Sequence, residues 1–123
     1  MTRIGLLSDS HGRGNTTERA VQLLLDQAVD RLIHLGDIGT MEVLEALVLS
    51  ESAQSAVPVQ IVFGNCDWDD EALRRYARAL GIEVCHPVGR IECDGKQIVF
   101  LHSHDEAAML QALADRPDYL FHG

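Results

Sequence analysis

Residues 32–37, Leu32-Ile33-His34-Leu35-Gly36-Asp37, run from a short apolar segment straight into a glycine and a carboxylate. The same arrangement recurs along the chain. Ile4 to Leu7 leads into Ser8-Asp9-Ser10-His11-Gly12, Val59 to Phe63 into Gly64-Asn65-Cys66-Asp67, and Ile98 to Leu101 into His102-Ser103-His104-Asp105; a fifth run spans Tyr119 to Phe121. Near-continuous apolar runs of strand length, in place of strict alternation, are expected of central strands covered on both faces. Asp9 to Asp37 is 37 − 9 = 28 residues and Asp37 to Asn65 is 65 − 37 = 28, each close to the roughly 30 residues of one βαβ unit.

Helices supply the cover. Asn15 as N-cap with Glu18 three residues on, followed by Val21, Leu24, Leu25, Ala28 and Val29 at helical spacing, predicts a first helix. Met41 to Leu49, capped by Thr40, predicts a second. Asp70 to Leu80, stopped by Gly81, predicts a third, with Trp68 as an anchor at its start and Leu73 in the core. Gly89 to Cys93, Asp94-Gly95 and Lys96 to Leu101 read as a hairpin around a type I′ turn. Asp105 to Ala114 predicts a last helix before Pro117. The order β-α-β-α-β-α-β-hairpin-α-β implies an α/β layered domain whose sheet begins parallel and acquires antiparallel strands.

The 123 residues suit one domain, 1–123, and 46% hydrophobic with 24% charged residues is an ordinary globular composition. A formal net charge of −9 repels nucleic acid and anionic membrane, so neither is expected as a stable partner. Three cysteines, Cys66, Cys85 and Cys93, are odd in number and few for a disulfide framework, which fits a reducing compartment. The apolar stretch before Asp9 is too short for a signal-peptide core, and no run approaches the roughly 18 residues of a membrane span. A cytoplasmic location is the expectation.

In open α/β sheets the carboxyl ends of parallel strands line one crevice, where ligands bind, so the four polar clusters should converge there. Two Asp, one Asn and at least two His form a mixed oxygen and nitrogen donor set that suits Mn²⁺, Fe²⁺, Zn²⁺ or Co²⁺ better than Ca²⁺. It is more than one ion's worth of ligand. Two ions about 4 Å apart, sharing one carboxylate, can activate a hydroxide and stabilise phosphate oxygens, which is the chemistry of phosphoester hydrolysis. The two ions outweigh the charge of the carboxylates, so a phosphate is attracted locally despite the acidic surface.

Asp9-Ser10-His11-Gly12, Gly36-Asp37, Gly64-Asn65-Cys66-Asp67 and His102, in this order and spacing, resemble the first four motifs of calcineurin-like metallophosphoesterases, in particular their small bacterial and archaeal phosphodiesterase branch. The resemblance covers essentially the whole chain. It implies a layered β-sandwich-type fold with flanking helices, mostly parallel central strands and a β-hairpin. It further implies a two-metal phosphodiesterase or phosphatase acting on small phosphoesters, with Mn²⁺ foremost and Fe, Zn, Co or Ni as alternatives. By the same resemblance Asp9 and His11 hold the first metal, Asp37 bridges, and Asn65 and His102 hold the second; Asp37, Asn65 and His102 are the catalytic centre.

Three positions depart from the family pattern. The family's last motif, Gly-His-x-His, is met by Gly123 alone, so a C-terminally truncated domain with three protein ligands per ion is the expectation. Cys66 stands where many relatives have a proton-donating histidine, and a thiol of ordinary pKa near 8.5 is a poor acid beside imidazolium. Ser103 replaces a glycine. Cys66 and His104 are read as substrate-side residues, His34 as a satisfied core histidine, His86 as a surface residue, and Cys85 and Cys93 as small buried hydrophobes. The competing function is a catalytically weak or inactive protein-interaction scaffold on the same fold.

Overall fold

The structure is a computed structural model that describes residues 1–48, 57–67 and 70–123. Its first sheet is wholly parallel, with β1 (Ile4–Leu7), β2 (Arg31–His34), β3 (Val59–Ile61) and β4 (Glu83–Val84) in the order β1-β2-β3-β4. β5 (Val88–Cys93), β6 (Lys96–Leu101) and β7 (Tyr119–His122) form a second sheet in which β5 and β6 are antiparallel and β6 and β7 parallel. The expected single sheet with added antiparallel strands is thus corrected to two stacked sheets, while the β-sandwich with flanking helices holds.

The strands explain this directly. Leu32 of β2 faces a core shared with the helices, and Ile33 faces the opposite side, where it meets Phe100 of β6. Val59 and Ile61 likewise belong to the helix-side core and Val62 to the inter-sheet core. On the second sheet Phe100 points inward, whereas Val99 and Leu101 pack under Ala112 of α4 (Glu106–Ala114). Every central strand therefore buries both faces, which is why its sequence is apolar without alternation. The layers run helices, sheet, sheet, helix.

α1 (Gly14–Asp26), α2 (Met41–Val48) and α3 (Glu71–Ala79) cover the first sheet. α3 and α4 begin as expected, with Asp70 accepting from Leu73 N at 2.9 Å and Asp105 from Ala108 N at 3.0 Å. Leu73 is buried; Leu49 and Trp68 lie outside the described residues. α1 departs from expectation at both ends. It starts at Gly14, with Arg13 in the cap position and no side-chain capping bond; the Thr17 hydroxyl donates to the Arg13 carbonyl at 2.8 Å, and Asn15 lies inside the helix. It ends at Asp26 because Ala28 turns left-handed (φ 57°), so Ala28 and Val29 fall beyond the helix although Val29 still packs on the core. The hairpin turn has Asp94 and Gly95 both at positive φ (53° and 76°), as a type I′ turn requires. No helix among the described residues is long and apolar enough to cross a membrane.

Gly89 sits opposite Phe100 in the β5–β6 register, and a Cβ there would lie 2.1–2.5 Å from the Phe100 ring. The ring occupies the space a side chain would need. Gly89→Val is therefore expected to cost about 2–3 kcal/mol through overpacking, read as a lower urea midpoint at unchanged m; an unchanged midpoint would show that the inter-sheet core can yield.

Candidate metal centre

Two loops build the floor of the site. The loop after β1 lies alongside the loop after β2 and is zipped to it by Asp9 N to Gly36 O (2.9 Å), His11 N to Asp37 O (2.9 Å) and Gly12 N to Ile38 O (2.8 Å). These bonds hold Asp9, His11 and Asp37 at φ 56°, 45° and 58°, a left-handed conformation that costs non-glycine residues free energy and persists only where the surroundings enforce it. The turn after β3 closes the floor. Asp67, fully buried, accepts from Ile38 N (2.8 Å), Gly39 N (2.9 Å) and Gly64 N (3.2 Å), so one carboxylate ties the third loop to the second. Gly64 must lack a side chain, since a Cβ would fall 2.1 Å from Asp37 Oδ1.

Asp37 is 5% exposed and lies at the centre. One of its oxygens, Oδ2, is 3.4 Å from His102 Nε2 and 3.6 Å from His11 Nε2, while His11 Nε2 is 3.5 Å from Asp9 Oδ1. The backbone N–H of Cys66 donates to the other, Oδ1, at 3.1 Å. The Asn65 amide also faces Asp37: turned so that its NH₂ donates, it lies 3.1 Å from Oδ1 and 3.3 Å from Oδ2. All five residues expected to hold metal, Asp9, His11, Asp37, Asn65 and His102, therefore stand together around one carboxylate.

The donor atoms fall into two overlapping groups, Asp9-Asp37-His102 and His11-Asp37-Cys66, each spanning no more than 4.8 Å and each including Asp37. Cys66 enters through its position beside Asp37. Partial desolvation, with the negative charges of Asp37, Asp67 and Asp9, pushes its thiol up, which keeps it protonated and a weak ligand and acid. His104 is exposed, with its ring centroid 5.2 Å from that of His102. Ser103, in place of a glycine, donates from both its N–H (3.2 Å) and its hydroxyl (2.6 Å) to the Gly123 carbonyl.

A profile of the calcineurin-like phosphoesterase superfamily domain matches residues 2–123. The chain belongs to this superfamily. It is similar to phosphodiesterase MJ0936 of Methanocaldococcus jannaschii, 21% identical over 112 residues that cover 90% of this chain and 64% of that protein's length. Among solved structures, it resembles an archaeal phosphodiesterase at TM-score 0.78 and 20% identity, covering 98% of this chain and 71% of that one. It also resembles the E. coli phosphoesterase Yfce at TM-score 0.62 and 24% identity, covering 82% and 57%.

The residues of this calcineurin-like domain fit divalent metal. His102 Nδ1 lies 2.9 Å from the Leu35 carbonyl, an acceptor only, so Nδ1 carries a hydrogen, and in the neutral ring Nε2 presents a lone pair to Asp37. An imidazole lone pair facing a carboxylate is an acceptor facing an acceptor, which a cation between them resolves. Two donors bound to one ion at about 2.1 Å stand about 3.0–3.4 Å apart, close to the spacings around Asp37. The Leu35 carbonyl is the outer partner that metal-bound histidines ordinarily have. Burial works to raise the Asp9 carboxyl, but the Ser8 hydroxyl bonded to it and the nearby His102 and His11 hold it below its ordinary value, so it is ionised for a cation.

Sequence reasoning placed His34 in the core, and the structure agrees while adding a contact. His34 is fully buried, accepts from Gly36 N at Nδ1 (3.1 Å), and so bears its hydrogen on Nε2, 2.8 Å from Ser10 Oγ. It links the Asp9-Ser10-His11 loop to the residue before Asp37. Burial drives its pKa down to about 4, with Asp9 and Asp37 pulling the other way. Unfolded histidine titrates near 6.5, so between the two values the unfolded chain binds the extra proton. The stability His34 contributes is complete above about pH 6.5 and falls by about 3 kcal/mol as pH drops toward 4. His34→Gln is expected to flatten the pH dependence of the urea midpoint across this window; a slope identical to that of the unsubstituted chain would contradict a neutral buried His34.

Proposed function

We propose that this chain is a metal-dependent phosphoesterase that hydrolyses small phosphodiesters or phosphomonoesters in the cytoplasm, with Asp9, His11, Asp37, Asn65 and His102 holding two divalent ions, Mn²⁺ foremost. The observation that carries this reading is the Asp37 carboxylate, shared by two groups of donors and faced by two imidazole nitrogens. A lone metal site has no need of two such groups. Divalent ions held there would activate water as the nucleophile and neutralise charge on the phosphoryl oxygens.

The chain's own side chains set the rest. Asp9 and His11 hold one side of Asp37, and His102, locked by the Leu35 carbonyl, holds the other. One turn of the Asn65 amide exchanges its hydrogen bond to Asp37 for an oxygen offered to a cation. His104 and Cys66 stand beside this centre on the substrate side. With the Cys66 thiol held protonated and its pKa raised, it gives little help to a departing alkoxide, so esters of acidic alcohols and phenols are the favoured substrates.

The test is hydrolysis of bis(p-nitrophenyl) phosphate with added Mn²⁺, on residues 1–123 and on a form in which Gly123 is followed by His-x-His. Metal-dependent turnover is expected, greater in the longer form, and Asp37→Asn should lower it at least about 100-fold. Turnover that ignores Mn²⁺ or survives Asp37→Asn unchanged would overturn the proposal, as would silence in both forms.

A further inference from the structure

The Asp9 side chain is 44% exposed, so packing does not fix its rotamer. Its carboxylate is held at one oxygen instead, where the Ser8 hydroxyl donates to Oδ2. The other oxygen, Oδ1, stands 3.5 Å from His11 Nε2, close to the spacing of two donors on one ion. Neighbouring side chains of an extended chain point to opposite faces. The left-handed φ of 56° at Asp9 breaks that alternation, and its carboxylate meets the hydroxyl of the residue before it. The backbone on both sides of Ser8 is fixed, by Leu35 N to Leu7 O at 2.8 Å and by Asp9 N to Gly36 O at 2.9 Å. Gly123 lies over the hydroxyl, since a Cβ there would fall 2.2 Å from Ser8 Oγ. The donor therefore stands on braced backbone and is covered by the chain just past β7.

Building on the two-ion phosphoesterase reading, we infer that Ser8 is a positioning residue that sets ion preference: by occupying Oδ2 it leaves Asp9 to offer one oxygen, Oδ1, to the ion it shares with His11. The bond has two consequences. Oδ1 already faces His11 in the metal-free chain, so an arriving ion need not order an exposed carboxylate. Chelation by both oxygens of Asp9 is also opposed, because it would break the bond to Ser8. Ca²⁺ gathers many oxygens and commonly takes both from one carboxylate, whereas Mn²⁺, Fe²⁺, Zn²⁺ and Co²⁺ accept a mixed nitrogen and oxygen set with single oxygens. Carboxylates that hold metal are ordinarily braced by such outer hydrogen bonds. Ser8 acts through Asp9 alone. Asn65 and His102, which hold the other ion in this reading, are tied to Asp37 and the Leu35 carbonyl and make no bond to Ser8 among the described residues.

The experiment titrates the wild-type chain and Ser8→Ala with Mn²⁺, reads the free ion by its electron spin resonance signal, and repeats the titration with Ca²⁺ as competitor. Loss of the hydroxyl is expected to weaken one of the two Mn²⁺ sites about 10-fold and to leave the other within about 2-fold. At the weakened site Ca²⁺ should keep its affinity within about 2-fold, because both oxygens of Asp9 become available, so the preference for Mn²⁺ there narrows about 10-fold. A serine that served the fold alone would weaken both sites and both ions alike. Equal weakening of the two sites, no weakening of either, or a Ca²⁺ affinity that falls in step with that of Mn²⁺ would overturn the role of Ser8 and leave the metal-dependent phosphoesterase standing. A wild-type chain that takes up fewer than two Mn²⁺ ions would overturn the two-ion reading and the role of Ser8 with it.

Discussion

A carboxylate that is 5% exposed is costly to bury unless hydrogen donors or a cation face it, and Asp37 is placed where three other segments converge. The loop after β1 brings His11, the turn after β3 brings the Cys66 N–H and the Asn65 amide, and the end of β6 brings His102. None of these segments is near another in sequence. The parallel sheet makes them neighbours by bringing the carboxyl ends of β1, β2 and β3 to one edge, and the stacking of the second sheet brings the end of β6 to the same place. Burial of Phe100 between the sheets and the bond from His102 to Leu35 O thus serve the same centre.

Much of this was legible because apolar strands ending in polar clusters leave a periodic signature in the chain. The 28-residue spacing of Asp9, Asp37 and Asn65 reports the βαβ repeat and with it the convergence of their loops. What escaped depended on contacts distant in sequence. That β5, β6 and β7 leave the first sheet to form another follows from Phe100 turning toward Ile33 and Val62, a packing choice that a single strand's pattern does not reveal. α1 starts at Gly14, ahead of the local signal of Asn15 with Glu18, and no side-chain cap fixes that start.

At the site, residue types were readable and geometry was not. Asp9, His11 and Asp37 adopt positive φ without being glycine, because three backbone bonds between loops enforce it. Asp67 looked like one more polar residue of its cluster, yet it gathers three backbone N–H groups and makes the floor rigid. His86, read as a surface residue, is half-buried, its ring packed against Phe63 at 5.7 Å between centroids. Its only sequence cue was its place just before the hairpin, which says nothing of Phe63.

An acidic chain of net charge −9 attracts cations before it attracts phosphate, so metal occupancy is the step on which everything else rests. The most direct measurement is calorimetric titration of the chain with Mn²⁺, alongside Asp37→Asn and His102→Ala. Two ions per chain are expected, with both sites weakened by Asp37→Asn and one spared by His102→Ala. Binding of a single ion, or an isotherm that Asp37→Asn leaves unchanged, would contradict a centre built on one shared carboxylate.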